Sequence, residues 1–159
     1  MTKPATHKDQ KLIVKNRRAN FDYAIEEHFE AGMVLSGSEV KSMRAGKVDV
    51  VDSYVQVERG EAWLRQLFVA PFEQASAFPH ETRRPRKLLL HAKEIDAIHS
   101  ALKRGGYTVV PMSLYFKDGR VKVDLGLGKG KKHYDKRADI AKKDADRETR
   151  VAAREGMRR

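Results

Sequence analysis

The sequence predicts a mainly β domain, a small antiparallel barrel of the oligonucleotide-binding type with inserted helices, followed by a basic tail. Three observations point there. Apolar residues alternate with polar ones over the best-patterned stretches, which is the period of a half-buried strand. Asp118-Gly119 and Arg59-Gly60 sit between such stretches, where a two-residue hairpin loop needs positive backbone φ. Only two segments carry helical spacing, so the strands join mostly by hairpins rather than by the regular helical crossovers of a parallel sheet.

The first long strand is expected over Phe21–Leu35. Its odd positions Phe21, Tyr23, Ile25, Phe29, Ala31, Met33 and Leu35 are apolar and broken only by Glu27, while Asp22, Glu26, His28 and Glu30 fall on the outward set. Gly32 offers a bend or bulge within it. Ser38 is placed to cap a short helix Glu39–Ala45 that ends at Gly46, and a second helix spans Lys93–Arg104, with Ile95, Ile98 and Leu102 on one stripe, before Gly105-Gly106. Tyr54–Glu58 and Ala62–Val69 form a hairpin in which parity leaves the facing of Trp63 and Leu64 open. Phe78–Arg86, with two prolines and three arginines, reads as a loop into the strand Lys87–Leu90. In the Asp118-Gly119 hairpin, Phe116 should face Val121, Leu114 Val123 and Met112 Leu125, with Tyr115 and Lys122 meeting on the other face.

The 159 residues suffice for one domain with its own core. Charge is distributed unevenly. The net is +11, from 33 Lys and Arg against 22 Asp and Glu; residues 1–128 carry 21 basic and 16 acidic groups, and residues 129–159 carry 12 and 6. From Asp135 onward the only large aliphatic or sulfur side chains are Ile140, Val151 and Met157, too few to offset an ordering entropy of roughly 1–2 kcal/mol per residue. The expected organisation is a flexible N-terminus at 1–10, the barrel at 11–128, and a basic tail at 129–159 that is disordered when free and helix-prone on a partner. A boundary near Gly126–Gly130 reads as a flexible basic hinge, or else as a loop whose N–H groups touch phosphates.

Several chemistries are excluded. With no cysteine there are no disulfides, thiol nucleophiles, iron–sulfur clusters or thiolate zinc sites. No stretch approaches the roughly 18 apolar residues of a membrane span, and the N-terminus has no secretory h-region, so a soluble cytoplasmic protein is expected. Counting from Gly126, a Walker loop would need glycine where Lys131 stands. The six histidines, His7, His28, His80, His91, His99 and His133, form no HExxH pair, and Ser36-Gly37-Ser38 is not a nucleophile elbow. No catalytic constellation, metal site or cofactor is expected, although a nuclease using Glu30 or Asp124 is the rival from the enzyme class.

Positive charge points instead to a polyanion. Lys15-Asn16-Arg17-Arg18 precedes the long strand; Lys41, Arg44 and Lys47 fall on one face of the short helix; Arg83, Arg84, Arg86 and Lys87 form a third cluster. Three such clusters on one small barrel favour RNA, with Tyr23, Tyr115 and His91 as candidate stacking groups. For Tyr23, its parity favours core packing over stacking.

The chain resembles the SsrA-binding protein (small protein B) family, the protein partners of transfer-messenger RNA, from Lys11 to about Arg137. The segments that carry the resemblance are Lys15-Asn-Arg-Arg, Ile25-Glu-Glu-His-Phe-Glu-Ala-Gly32, Ser38-Glu-Val-Lys-Ser-Met-Arg-Ala-Gly-Lys47, Asp52-Ser-Tyr-Val55, Arg86-Lys-Leu-Leu-Leu90, Gly106-Tyr-Thr-Val-Val-Pro111 and Gly130-Lys-Lys-His-Tyr-Asp-Lys-Arg137. The resemblance implies a barrel that grips the tRNA-like domain of the RNA, with Asn16, Glu30, Leu89 and His91 at the RNA, to which the basic clusters add Arg17, Arg18, Lys41, Arg44, Lys47 and Lys87. His91 stands where the family often has Asn, and Tyr134 where some members have His, so Tyr134 keeps a ring to stack but cannot titrate as His would. It further implies delivery with elongation factor Tu to the A site of a stalled ribosome. There Lys129, Lys131, Lys132, Tyr134, Asp135, Lys136 and Arg137 would meet the decoding region of small-subunit rRNA, and residues 138–159, through Lys142, Lys143, Arg147, Arg150 and Arg154, would become helical in the empty mRNA channel. A rival in the same class is a ribosomal or rRNA-chaperone barrel without rescue activity.

Overall fold

A computed structural model of the chain describes residues 10–72, 80–131, 137, 140–145 and 147. Among the described residues up to Gly130, nine strands and three helices follow in the order β1 (Gln10–Lys15), α1 (Ala19–Asp22), β2 (Tyr23–Met33), α2 (Gly37–Arg44), β3 (Val48–Asp49), β4 (Tyr54–Glu58), β5 (Glu61–Arg65), β6 (Phe68–Val69), β7 (Arg86–Leu89), α3 (Ala92–Lys103), β8 (Tyr107–Lys117) and β9 (Arg120–Gly130). Seven strands form one sheet in the order β1-β8-β9-β2-β7-β5-β4, and β3 pairs with β6 in a small second one. Every pairing is antiparallel. β4, at one end of the order, lies back against β8 near the other, which curls the sheet into the expected barrel. Inside it Val55, Leu64, Leu88, Val109, Leu114 and Leu125 are at most 3% exposed, and Ile98 of α3 joins the same core.

Several elements differ from the sequence expectation, each for a local reason. The stretch from Phe21 begins as helix, because the N–H groups of Phe21 and Asp22 both donate to the Arg18 carbonyl; β2 starts only at Tyr23. The bulge falls between Ile25 and Glu27, opposite Gly128 and Leu127, and not at Gly32. Gly32 instead is the residue at which β2 pairs with both β9 and β7. α2 is capped by Ser36 rather than Ser38: the Glu39 N–H donates to Ser36 Oγ at 3.4 Å, and Glu39 Oε1 accepts from the Ser36 N–H at 2.9 Å, a reciprocal pair that satisfies two otherwise orphaned donors.

The Asp118-Gly119 turn has the expected positive φ at both residues, 52° and 75°, and aligns Phe116 with Val121 and Leu114 with Val123. Beyond that a bulge between Pro111 and Ser113 intervenes, so Pro111 and not Met112 faces Leu125. Leu64 points inward and Trp63 is half-buried. The second strand of that hairpin stops at Arg65, since Gln66 turns to φ 63°, and Phe68–Val69 leaves for β3. The stretch Gly126–Gly130 is no hinge but the end of β9. A Cβ at Gly126 would lie 2.8 Å from Met112 Sδ, and one at Gly128 would lie 2.4 Å from the Ala24 carbonyl oxygen. Glycine there admits close packing of backbone and side chains rather than bending.

Candidate RNA interface

Four of the predicted site residues converge. Glu30 from β2, Lys87 and Leu89 from β7, and His91 at the start of α3 line one groove of about 590 Å³, together with Lys122 of β9. Antiparallel pairing brings them together: Gly32 stands opposite Leu89, and Glu30 opposite Asp124. Leu89 is 55% exposed, an apolar side chain presented to solvent amid polar ones. Lys87 Nζ donates to Glu61 Oε1 at 3.2 Å, and His91 is the N-cap of α3, its N–H donating to Glu94 Oε1 at 3.1 Å.

Glu30 is held in place from β8. The Tyr115 hydroxyl donates to Glu30 Oε2 at 2.5 Å and Lys117 Nζ to Oε1 at 3.1 Å. Partial burial pushes this carboxyl up, but the Tyr115 and Lys117 hydrogen bonds together with the nearby Lys117 and Lys122 charges outweigh it and hold it below the ordinary value. It is therefore ionised at neutral pH. Two donors leave part of its roughly four lone-pair sites free to accept from a base or ribose. Tyr115 is only 7% exposed, and burial followed by its bond to Glu30 pushes its phenol well above the usual range. It is thus a neutral donor that orients Glu30 and not a stacking platform. Beside it, Asp124 lies within 3.1 Å of His28 Nδ1; burial raises its carboxyl against the lowering influence of His28, and Glu30 adds to the rise.

Other predicted residues lie elsewhere. Asn16 Nδ2 donates to the Pro111 carbonyl at 2.9 Å and its N–H to that of Met112 at 2.8 Å, tying the end of β1 to the β8 bulge; it lines a separate groove with Arg18. Arg17 and Arg18 are exposed. Tyr23 packs on Ala19, Val110 and Met112 as its parity suggests. On α2, Lys41 lies over the Phe72 ring and Arg44 over that of Phe116, both at 5.5 Å. Lys47 does not continue their helical face: the helix ends at Arg44, and the Lys47 N–H turns back to the Ser42 carbonyl.

The third basic cluster is half structural. Arg86 is fully buried with Glu39, and Arg84 bonds the same carboxylate at 3.0 Å through Nε; Arg83 lies over Phe68 at 5.4 Å. Lys129 lies 4.8 Å above Tyr107, and the Lys131 N–H donates to the Asp22 carbonyl. Arg137 is exposed, while Lys132, Tyr134, Asp135 and Lys136 lie outside the described residues. Sequence reasoning offered Tyr115 as a stacking group rather than as the donor that orients Glu30, and it missed Lys117 and Lys122 as site members and Glu39 as a buried anchor. Ser36-x-x-Glu39 was the available signal for the last.

Among the described residues no cluster of His, Asp or Glu could hold a metal, and no helix is long and apolar enough to cross a membrane.

The SmpB protein family model matches residues 13–155. The SsrA-binding protein of Lysinibacillus sphaericus (strain C3-41) is 53% identical over 138 residues, covering 87% of this chain and 89% of its own length. That of Geotalea uraniireducens (strain Rf4) is 54% identical over 149 residues, covering 94% and 99%. A solved structure described as "tmRNA-SmpB: a journey to the center of the bacterial ribosome" superposes with a TM-score of 0.66 at 46% identity, covering 77% of this chain and 87% of that one. With nearly its whole length matched, and the Glu30 groove formed by segments that carry the resemblance, this chain belongs to the SmpB protein family.

Proposed function

We propose that this protein binds the tRNA-like domain of transfer-messenger RNA through the Glu30–Leu89–His91 groove and delivers that RNA to stalled ribosomes for rescue and peptide tagging. The observation that carries this is the groove itself: an ionised, oriented acceptor, an exposed leucine and a histidine, flanked by Lys87 and Lys122. Lysines neutralise phosphates and set affinity, while Glu30 and Leu89 meet base edges and sugars. Relatives named SsrA-binding protein support the choice of RNA. Binding and positioning suffice for this role, so no catalytic step is assigned to the chain.

Arg17, Arg18, Lys41 and Arg44 extend the basic surface around the barrel. The finer parts of the proposal are delivery with elongation factor Tu in the cytoplasm, and a second set of contacts by the tail. Lys129, Lys131, Lys132, Tyr134, Asp135, Lys136 and Arg137 would meet rRNA near the decoding region, with the residues beyond them in the empty mRNA channel; the helical residues 140–145 support a helical tail. Deleting residues 135–159 tests the division of labour. Affinity for transfer-messenger RNA should stay nearly intact while tagging of stalled products is lost; equal loss of both would sink the two-part scheme.

A further inference from the structure

A second groove, of about 520 Å³, stands apart from the Glu30 groove, although Asn16 and Arg18, both expected at the RNA from the sequence, help to line it. Asn16, Arg18, Asp22, Tyr23, Asp52, Tyr54 and Thr108 are among the residues that line it. It opens where β4 lies against β8 without a hydrogen-bonded ladder between them, so the seam of the barrel is its floor. Its size falls within the 300–1,000 Å³ of small-ligand sites.

The chemistry of the lining selects among ligands. Arg18 stands at the rim with a side chain 71% exposed, 3.7 Å from Asp22, leaving most of its donors to solvent. Tyr54 is 39% exposed and supplies an aromatic face. Asp52 is exposed, and none of the described residues gives its carboxylate a hydrogen bond or an ion pair. It occupies the third place of the turn Val50–Ser53, closed by the Ser53 N–H on the Val50 carbonyl at 3.2 Å, with φ 65°. Aspartate tolerates such a place, as Asp118 does in the β8–β9 turn; what counts at Asp52 is the carboxylate it brings to the lining of the groove.

A phosphate is disfavoured inside, because Asp22 and Asp52 outnumber the one arginine. A flat heterocycle with adjacent N–H donors fits: its face on tyrosine, its donors on the carboxylate, its phosphate on Arg18. Among the bases guanine presents two adjacent donors, N1–H and N2–H₂, to the two oxygens of one carboxylate, as a bidentate fork does; adenine and cytosine offer one exocyclic amine, and uracil one ring N–H.

We propose that the groove between α1, the Val50–Ser53 turn and β8 receives one unpaired guanine of an RNA segment, read by Asp52. This rests on the RNA-binding function proposed above but uses a different face of the barrel.

The test uses the full-length chain and 5′-labelled hexaribonucleotides: all-uridine, uridine with one central guanosine, and uridine with one central inosine, which lacks the N2 amine. By fluorescence anisotropy at fixed salt, the guanosine oligomer should bind about ten-fold tighter than all-uridine, the range of a bidentate base contact, with inosine between. Asp52→Asn should erase that preference, leave all-uridine binding unchanged, and leave affinity for the tRNA-like domain unchanged. Glu30→Ala should do the reverse. Equal binding of all three oligomers, or a preference that survives Asp52→Asn, overturns the proposal. So does an Asp52→Asn loss on the tRNA-like domain as large as that of Glu30→Ala, because the groove would then belong to the first site. Should Glu30→Ala alone fail to weaken the tRNA-like domain, the fault lies with the function proposed above and not with the guanine groove.

Discussion

Replacing Glu39 by alanine should be among the most damaging single changes in the barrel. Glu39 and Arg86 are both 0% exposed. The carboxylate accepts from Arg84, Arg86 and the Ser36 N–H, while Arg86 also reaches the carbonyls of Leu67, Arg84 and Thr82. Without Glu39 the guanidinium of Arg86 keeps those carbonyls but becomes a buried charge without its hydrogen-bonded counter-charge, left only with the weaker influence of Glu81, a loss of about 3–5 kcal/mol, against a total stability of about 5–15 kcal/mol for a domain. In urea, at a slope of roughly 2 kcal/mol per molar, the midpoint should fall by about 2 M with the slope unchanged. The double variant Glu39→Leu/Arg86→Met removes both desolvated charges and should recover most of the loss. A Glu39→Ala cost below about 1 kcal/mol, or a double variant as damaged as the single, would refute the reasoning. Acid gives an independent check. Burial raises the Glu39 carboxyl, but Arg84, the Ser36 N–H and Arg86 together hold it below its ordinary 4.5. Its contribution is therefore full above that value and is lost as pH falls through the lower, folded one. The stability difference between the parent and Glu39→Gln should shrink on acidification below about pH 4.5 and stay flat above it.

Two further outcomes concern the groove and the strand beneath it. Tyr115→Phe keeps the ring but removes the donor to Glu30, and should cost about 1–3 kcal/mol in thermal unfolding with a several-fold loss of RNA affinity; unchanged affinity would mean that Glu30 needs no orientation. Gly128→Ala sets a methyl against the Ala24 carbonyl and should cost about 1–3 kcal/mol, whereas Gly130→Ala, with open space around it, should stay within about 0.5 kcal/mol. Equal denaturation midpoints would show that the β2–β9 approach is not tight.

The recognition groove was partly legible. Glu30 falls on the outward parity of its strand, and Leu89 and His91 were placed by resemblance, yet what makes Glu30 a fixed acceptor comes from β8, 85 residues away in the chain. Cross-strand partners are set by register, and the bulges at Ile25–Glu27 and Pro111–Ser113 that fix it leave no period-two signature. Arg84 and Arg86 carry the same local charge as Lys87, but only folding sorts them, two onto Glu39 and the third to the groove.

By itself the sequence determined what is local or additive: the strand period, the two Gly-containing hairpin turns, the helix stops, the charge surplus and its concentration after residue 128, and the family. Tertiary structure decided what depends on distant neighbours. It turned a glycine run from an apparent hinge into a packed strand, because a Cβ there meets Met112 and the Ala24 backbone. It also separated Asn16 from Glu30 into two grooves, since antiparallel pairing in a curled sheet assigns each side chain a face and an end that no spacing along the chain encodes.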